Sequence, residues 1–437
     1  MADTIFDLDE FKRYEEGWRA RCSALSTRAA YYDGSIYRGL NDALRWLYPR
    51  LGKGIKALYL PLARAVDVDA GIIPGGWTFE DEAPEAWGMA WKALSDMSKW
   101  NTRGVLYIHY GAVYGVSCLK VSDLREAGRV MIAPVNPACV LLDSNSAYDG
   151  TPQIAIYIEQ RIGEDGTPFE YAEVTTPADV RTFKDGALTS FDGRKATYPN
   201  AQKAVPFVEV RHIETGDVLG ECTYQKAIPL LDEVNSLASQ LAEIIRKNSD
   251  PQWAVFGAQG DELEHSSDNV WFFPNKDGRV EILVPKVDVA GVLEFIREIR
   301  DQVFGALPEL AFDELRKKDQ IATATLELQL MELVLKIKRC RPNYDDGLVR
   351  AMKLAGRAAA SMGLGNITTL NDETLALDQD RPVLPLDPMT MVQLEMQALE
   401  LEQARALARP VEGRLSQAQA AGDEVEDAGP DDSAPVQ

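Results

Sequence analysis

The amino-acid sequence predicts an α+β fold on three observations. Short β-rich runs crowd the stretch from residue 116 to about 212, amphipathic helical patterns flank it on both sides, and a compact β-rich island near 251–286 separates two of those helices. With 437 residues the chain is too long for one ordinary core and implies two or more packed units. Hydrophobic residues make up 46% and charged residues 26%, the balance of a globular protein.

The first segment, roughly 5–30, mixes charge with periodic apolar residues and reads as a helix, followed by a turn at Asp33-Gly34. Asn41 to Tyr48 has helical spacing, Gly71 to Trp77 reads as a loop, and Pro84 to Trp100 is helical with Trp87, Trp91, Leu94 and Met97 on one face. The β-rich runs then follow: VSCLKV, VMIAPV, CVLLD, IAIYIEQ and EYAEVTT, with a hairpin-turn composition at GEDGTP (163–168). A clear helix spans about Tyr224 to Lys247, with Ile228, Leu231, Val234, Leu237, Leu241, Ile244 and Ile245 on one stripe. Arg246 and Lys247 suit the negative end of its dipole, and Asn248-Ser-Asp-Pro stops it.

In the β-rich island, WAVFG, VWFFP and VEILVP are strand candidates carrying Trp253, Phe256, Trp271 and Phe272. A second amphipathic helix, about 288–304, places Val292, Phe295, Ile296, Ile299 and Val303 together. Gly305 to Gln320 reads as a loop with the basic run Arg316-Lys317-Lys318, and a long helix from near Ala322 to Met362 is expected to break or kink at Pro342. Asp387-Pro388 starts a last helix to about Ala408, with Val392, Met396 and Leu399 on one side, and the acidic tail beyond Pro410 has few large apolar residues, the composition of disorder.

The formal net charge is −22. A freely exposed acidic surface repels phosphates and argues against a tight, groove-reading DNA binder, though not against a protein that surrounds DNA without gripping it. The opening MADTIFDLDEFKRYEEGW shows no secretory pattern, and the most apolar stretch, Gly104 to Leu119, is too short to span a bilayer. Five scattered cysteines (Cys22, Cys118, Cys139, Cys222, Cys340) read as reduced thiols in a cytosolic setting.

Phosphate loops, nucleophile elbows and HExxH helices are missing from the sequence. His109 lies in an apolar run, where a satisfied core histidine is the commoner reading, and His212 and His265 have no motif around them. Asp67-Val-Asp69 offers two carboxylates but no third ligand nearby, and reads as a solvated loop. No catalytic, cofactor-binding or metal residue is therefore expected. Arg316–Lys318 has two readings: a solvated loop, or a polyanion contact whose charge multiplies if many chains form a ring.

The order of these features resembles the portal family of tailed bacteriophages, particularly those of long-tailed phages, over about residues 25–363. Tyr31-Tyr32-Asp33-Gly34 is similar to the tyrosine-glycine turn after the family's first helix, and YIHYGAVYGVSCLKVS to its helix that ends in glycine and feeds a strand. VMIAPVNPACVLLDSN resembles its strand, proline turn and strand. AVPFVEVRH…GECTYQKAIPLLDEVNSLASQL is similar to its apolar strand and glycine followed by a helix carrying an Asp and an Asn, here Asp232 and Asn235. IREIRDQVFGALPELAF resembles its second stem helix running into the tunnel loop. Where many relatives have a Ser-Gly pair in or after that loop, this chain reads Lys317-Lys-Asp-Gln-Ile-Ala-Thr-Ala-Thr, so the loop's detailed shape does not carry over.

The resemblance implies a wing (1–222), a first stem helix (223–247), a clip (248–286), a second stem helix (287–305), a tunnel loop (306–322), a long kinked wing helix (323–363), a helical crown (364–409) and an acidic tail (410–437). It implies a dodecameric ring at one capsid vertex, through which double-stranded DNA passes without sequence reading, in the virion and, during assembly, in the host cytoplasm. Its implied partners are the terminase large subunit, then the head–tail connector, with the major capsid protein and scaffold; no membrane is involved. Stem packing would fall to Ile228, Leu231, Val234, Leu237, Leu241, Val292, Ile296 and Ile299, the clip to Trp253, Phe256, Trp271 and Phe272, and DNA contact to Arg316, Lys317 and Lys318. The competing readings are another oligomeric virion connector and a cytosolic enzyme with an unrecognised site.

Overall fold

The computed structural model describes residues 4–38, 59–80, 82–143, 151–163, 165–191, 193–249, 252–256, 279–283, 289–311 and 323–383. Arg316, Lys317, Lys318, Trp271, Phe272, the segment 41–48 and the last helix with Val392, Met396 and Leu399 lie outside the described residues.

Helix α1 runs Lys12–Tyr32 after a 3-10 turn at Thr4–Asp7, so the helix predicted from residue 5 begins about two turns later. Residues 62–72 correct a second expectation. The Asp67-Val-Asp69 stretch is not a solvated loop but helix α2, Leu62–Ile72, with Leu62, Ala65, Val66, Asp69 and Ala70 buried at helical spacing. The helical stretch Pro84 to Trp100 divides into α3 (Glu85–Ser98) and α4 (Trp100–Tyr114), because Lys99 takes a left-handed conformation at φ 52° and turns the chain between them. Helix α4 ends at Gly115, whose φ of 79° favours glycine, and feeds β1 directly.

Strands β1 (Val116–Leu124), β2 (Arg129–Val135) and β9 (Phe207–Arg211) form a three-stranded antiparallel sheet in the order β2-β1-β9. A larger antiparallel sheet follows the order β3-β4-β5-β6-β7: β3 (Val140–Asp143), β4 (Ile154–Ile162), β5 (Pro168–Thr175), β6 (Asp179–Lys184) and β7 (Ala187–Leu188), with β8 (Thr197–Pro199) also paired to β6. Strands β4 and β5 pair antiparallel from Ile162 opposite Pro168 to Ala155 opposite Thr175, the hairpin expected there. Alternation along β4 sends side chains to two cores. Ile156 and Ile158 pack with Ala172, Val174 and Phe183 against Ile5, Phe6, Phe11 and Trp18 of the N-terminal segment. Ala155 and Tyr157 face the other way, onto Cys118, Val140 and Phe207, which links the two sheets.

Helices α3, α4 and the long α7 (Thr323–Met362) cover the three-stranded sheet. Two glycines set how closely. A Cβ at Gly111 of α4 would overlap the Tyr344 hydroxyl, and one at Gly347 of α7 would overlap the Val210 side chain. Helix α7 runs through Pro342 as one helix, so of the expected break or kink there is no break. Proline removes one backbone donor, but tertiary bonds hold the turn from both sides. Arg341 donates to the carbonyls of Ile72, Ile73, Arg381 and Pro382, and Asn343 to those of Arg211 and His212.

Helix α5 (Ile228–Ser249) packs against α6 (Val289–Ala306), and β10 (Gln252–Phe256) pairs antiparallel with β11 (Arg279–Leu283). The α-helix starts at Ile228 and not at Tyr224 because a 3-10 turn at Gln225–Ala227 precedes it and Pro229 sits in its first turn, where no N–H is missed. Trp253 and Phe256 lie on β10.

Candidate functional site

The root of the α5–α6 pair holds a group of buried polar side chains, among them Asp69, His212, Thr223, Asn235 and Glu309. Leu231 of α5 and Val303 of α6 share a core with Leu62 and Val66 of α2, Ala112 and Val113 of α4, and Leu307 and Leu310 just past α6. Val234, Leu241 and Ile299 are buried too, and Ile228, Leu237, Val292 and Ile296 are half-buried. Farther along the same two helices, Ile245, Leu293 and Phe295 are 47%, 39% and 50% exposed, so part of each predicted apolar stripe is open in the single chain.

Two motifs singled out in the sequence meet at this root. Tyr31, in the last turn of α1 where the YYDG sequence begins, donates from its hydroxyl to Asp232 Oδ2 at 2.9 Å, and burial followed by that carboxylate pushes the phenol up to about 12. Asn235 is fully buried. It accepts from the Tyr59 N–H at 2.8 Å and donates to the Tyr59 carbonyl and the Tyr37 hydroxyl at 3.1 Å each. One helical turn of α5 thereby fastens the segments on either side of residues 39–58.

Beside it lies a buried ionic cluster built from four separate stretches. Lys336 of α7 donates from Nζ to Asp69 Oδ2 of α2 at 3.3 Å and to Oε1 of Glu309, in the 3-10 turn Pro308–Leu310. Thr223 donates to Asp69 Oδ2 at 2.6 Å. Having spent its proton there, the Thr223 hydroxyl accepts from His212 Nε2 at 3.0 Å, which leaves His212 Nδ1 to accept from the Tyr344 hydroxyl at 2.8 Å. The run Tyr344–His212–Thr223–Asp69 is one continuous chain of hydrogen bonds.

Burial works against every charge in this cluster, and the outcome differs by residue. It raises the Asp69 carboxyl, but the Lys336 ammonium and the bonds from His212 and Thr223 outweigh it and hold Asp69 well below the usual carboxylate range. It lowers Lys336, yet the two carboxylates carry the ammonium above its ordinary value. It keeps His212 neutral, pushing the imidazole down against the pull of Asp69. Glu309 has no such rescue: burial, then the neighbouring Asp69 charge, push it up to about 8 despite Lys336.

A histidine between a threonine and an aspartate has the form of an acid–base relay. Here Asp69, His212 and Tyr344 are all fully buried, so no reactant reaches them, and the relay serves to join α2, the end of β9, the approach to α5, and α7. No group of metal-ligating side chains occurs among the described residues, and no helix among them is long and apolar enough to cross a membrane. A second buried group sits farther along α7. Nη2 of Arg381 donates to both carboxylate oxygens of Asp345, at 2.8 and 2.7 Å, with the two residues 5% and 1% exposed.

Sequence reasoning missed Asp69, Glu309 and Lys336 as a site. The signal was there: each is a charge set inside an apolar stripe. Lys336 falls between Leu333, Ile337 and Cys340, all fully buried.

Comparison with curated proteins finds no match. Among solved structures, one chain in the "Virion of native gene transfer agent (GTA) particle" aligns at 13% identity and a TM-score of 0.34, over 79% of this chain and 86% of that one. Comparison with protein families matches residues 107–363 to "Phage portal protein, SPP1 Gp6-like". The match takes in most of α4, both larger sheets, the α5–α6 pair and the whole of α7, more than half of the chain. This protein therefore belongs to the SPP1 Gp6-like family of bacteriophage portal proteins, structural components of the virion and not enzymes.

Proposed function

We propose that copies of this chain close into a dodecameric ring at one capsid vertex and form the channel through which the phage genome is packaged and later ejected. The family match carries the portal role. The observation that carries the ring is apolar surface left open on three helices. Ile245 on α5, Leu293 and Phe295 on α6, and Met331 and Leu335 on α7 are between 39% and 60% exposed in a chain whose own core is closed. A ring joins one face of each subunit to a different face of the next, and helices with a second apolar side suit that contact.

In this reading residues 1–222 and 323–363 form the wing, 223–247 and 287–305 the stem, 248–286 the clip, 306–322 the tunnel loop, and 364–409 the crown. The clip docks the terminase large subunit, whose ATPase drives loading, and afterwards the head–tail connector. The major capsid protein and scaffold surround the ring. The acidic balance of −22 per chain limits phosphate contacts that would add friction to sliding DNA, and Arg316, Lys317 and Lys318 supply a few backbone contacts without reading sequence.

Electron microscopy of the purified protein tests the ring. End-on views with about twelve-fold symmetry and a central hole of duplex width support it; small solid particles across salt conditions overturn it. Replacing Arg316, Lys317 and Lys318 together with Ala is expected to impair packaging or DNA retention while rings still assemble. Wild-type packaging by that variant removes the three residues from the mechanism.

A further inference from the structure

One ammonium faces two carboxylates in the cluster between α2, the Pro308–Leu310 turn and α7. Asp69 and Glu309 are both fully buried, and Lys336 is the cation bonded to them. The other groups that face them are Thr223, His212, Cys340 and Tyr344, all neutral; at the margin stand Arg339, exposed on α7, and Glu221, near His212. The two acids are unequally served. Asp69 Oδ2 takes bonds from Thr223 and Lys336 with His212 Nε2 at 3.5 Å, whereas Glu309 has Lys336 as its side-chain donor and little besides. Asp69 Oδ1 and Glu309 Oε2 are buried without a hydrogen-bond partner among the described residues.

With both acids ionised, a net negative charge would sit out of reach of water, which is costly. Two carboxylates competing for one cation settle this by keeping one proton between them. The poorer set of donors makes Glu309 the acid that keeps it.

We propose that Glu309 is a pH-sensitive latch: it holds a proton at neutral pH, seats the turn that follows α6 between α2 and α7, and unseats that turn when the proton leaves. The turn is Leu307 to Ala311, with the Leu307 and Leu310 side chains in the core at the root of the helix pair. The sign follows from linkage. A carboxyl raised from 4.5 to about 8 in the folded chain stabilises it fully below the ordinary carboxylate range, and that stability is lost as pH rises through about 8. His212, lowered from 6.5 by burial, acts in the opposite sense and on the acid side, so a window of about pH 6.5 to 8.5 isolates Glu309.

Hydrogen exchange on the purified full-length protein tests this. The Leu307 and Leu310 amides bond to the Phe304 and Leu307 carbonyls and report the turn directly. After correction for the chemical exchange rate at each pH, their opening in the wild type is expected to rise roughly twentyfold between about pH 6.5 and 8.5. In Glu309→Gln, whose amide imitates the neutral acid, it is expected to change less than about twofold. A flat wild-type profile overturns the latch, as does an equal rise in the variant. Should the variant fail to fold, the wild type decides alone: a rise confined to this turn, with the β4–β5 hairpin unchanged, supports the latch, and a rise shared by both overturns it. The measurement needs neither ring nor DNA, so its failure leaves the portal reading standing.

Discussion

Lys336 and Asp345 lie on the same helix, and each anchors a buried ionic group, but the two groups are balanced differently. Asp345 takes two bonds from Nη2 of Arg381, at 2.8 and 2.7 Å, and has the Arg341 guanidinium near it as well, so cations outnumber the carboxylate there. Lys336 meets Asp69 and Glu309 together, and the excess carboxylate is carried as a proton. The first arrangement ties the chain at Arg381 to α7 and leaves no carboxylate in excess of cations, although burial raises the Asp345 carboxyl. The second joins α2, α7 and the turn after α6, and its strength depends on pH. The contrast teaches that burial alone does not separate a fixed strut from a switchable one; the count of charges does.

Substitutions at Lys336 and Arg381 probe that contrast, and two others test the packing around it and the open face of α6, in falling order of expected effect on stability. Lys336→Ala leaves two buried carboxylates with no cation and is expected to cost about 3–5 kcal/mol in denaturant unfolding. Adding Glu309→Gln to it should recover part of that loss, since the amide removes one of the stranded acids. Arg381→Ala strands one carboxylate, Asp345, which keeps Arg341 near it, so the expected loss is smaller, about 2–3 kcal/mol. If the Lys336 and Arg381 variants lose the same amount, the difference in charge count has no energetic meaning.

Gly111→Ala drives a methyl group into the Tyr344 hydroxyl, which bonds His212, and should cost about 1–3 kcal/mol. The loss should fall in part if Tyr344→Phe is added, because the clash is with that hydroxyl. Phe295→Ser changes a half-exposed side chain and is expected to shift unfolding of the chain by less than about 0.5 kcal/mol. Its readout is ring assembly in sedimentation or micrographs: rings formed as readily as by the wild type would count against the open face of α6 as a subunit contact.

Much of the architecture is legible in the order and spacing of the residues. The stripes Leu231–Val234–Leu241 and Ile299–Val303 announce α5 and α6, Gly115 announces the step from α4 into β1, and the alternation in IAIYIEQ announces β4. The Asp232–Asn235 pair and the YYDG turn stand out separately, and only the fold shows that Tyr31 and Asp232 touch. Asp67 to Asp69 misreads as a loop because a charge inside an apolar stripe looks like a break in it. In the folded chain that charge is buried with the stripe and bonds Lys336 of α7.

The sequence by itself determined the α+β class, the helix and strand periods, and the amphipathic faces, because backbone propensity and spacing along the chain are local. The tertiary structure decided which apolar residues those faces bury, as in Val303 against Phe295, and that Pro342 is carried inside an unbroken helix. It also decided that Asp69, His212, Glu309 and Lys336, spread over 268 positions, share one buried site. Charge pairing and burial are set by distance in space, and separation along the chain does not encode that distance.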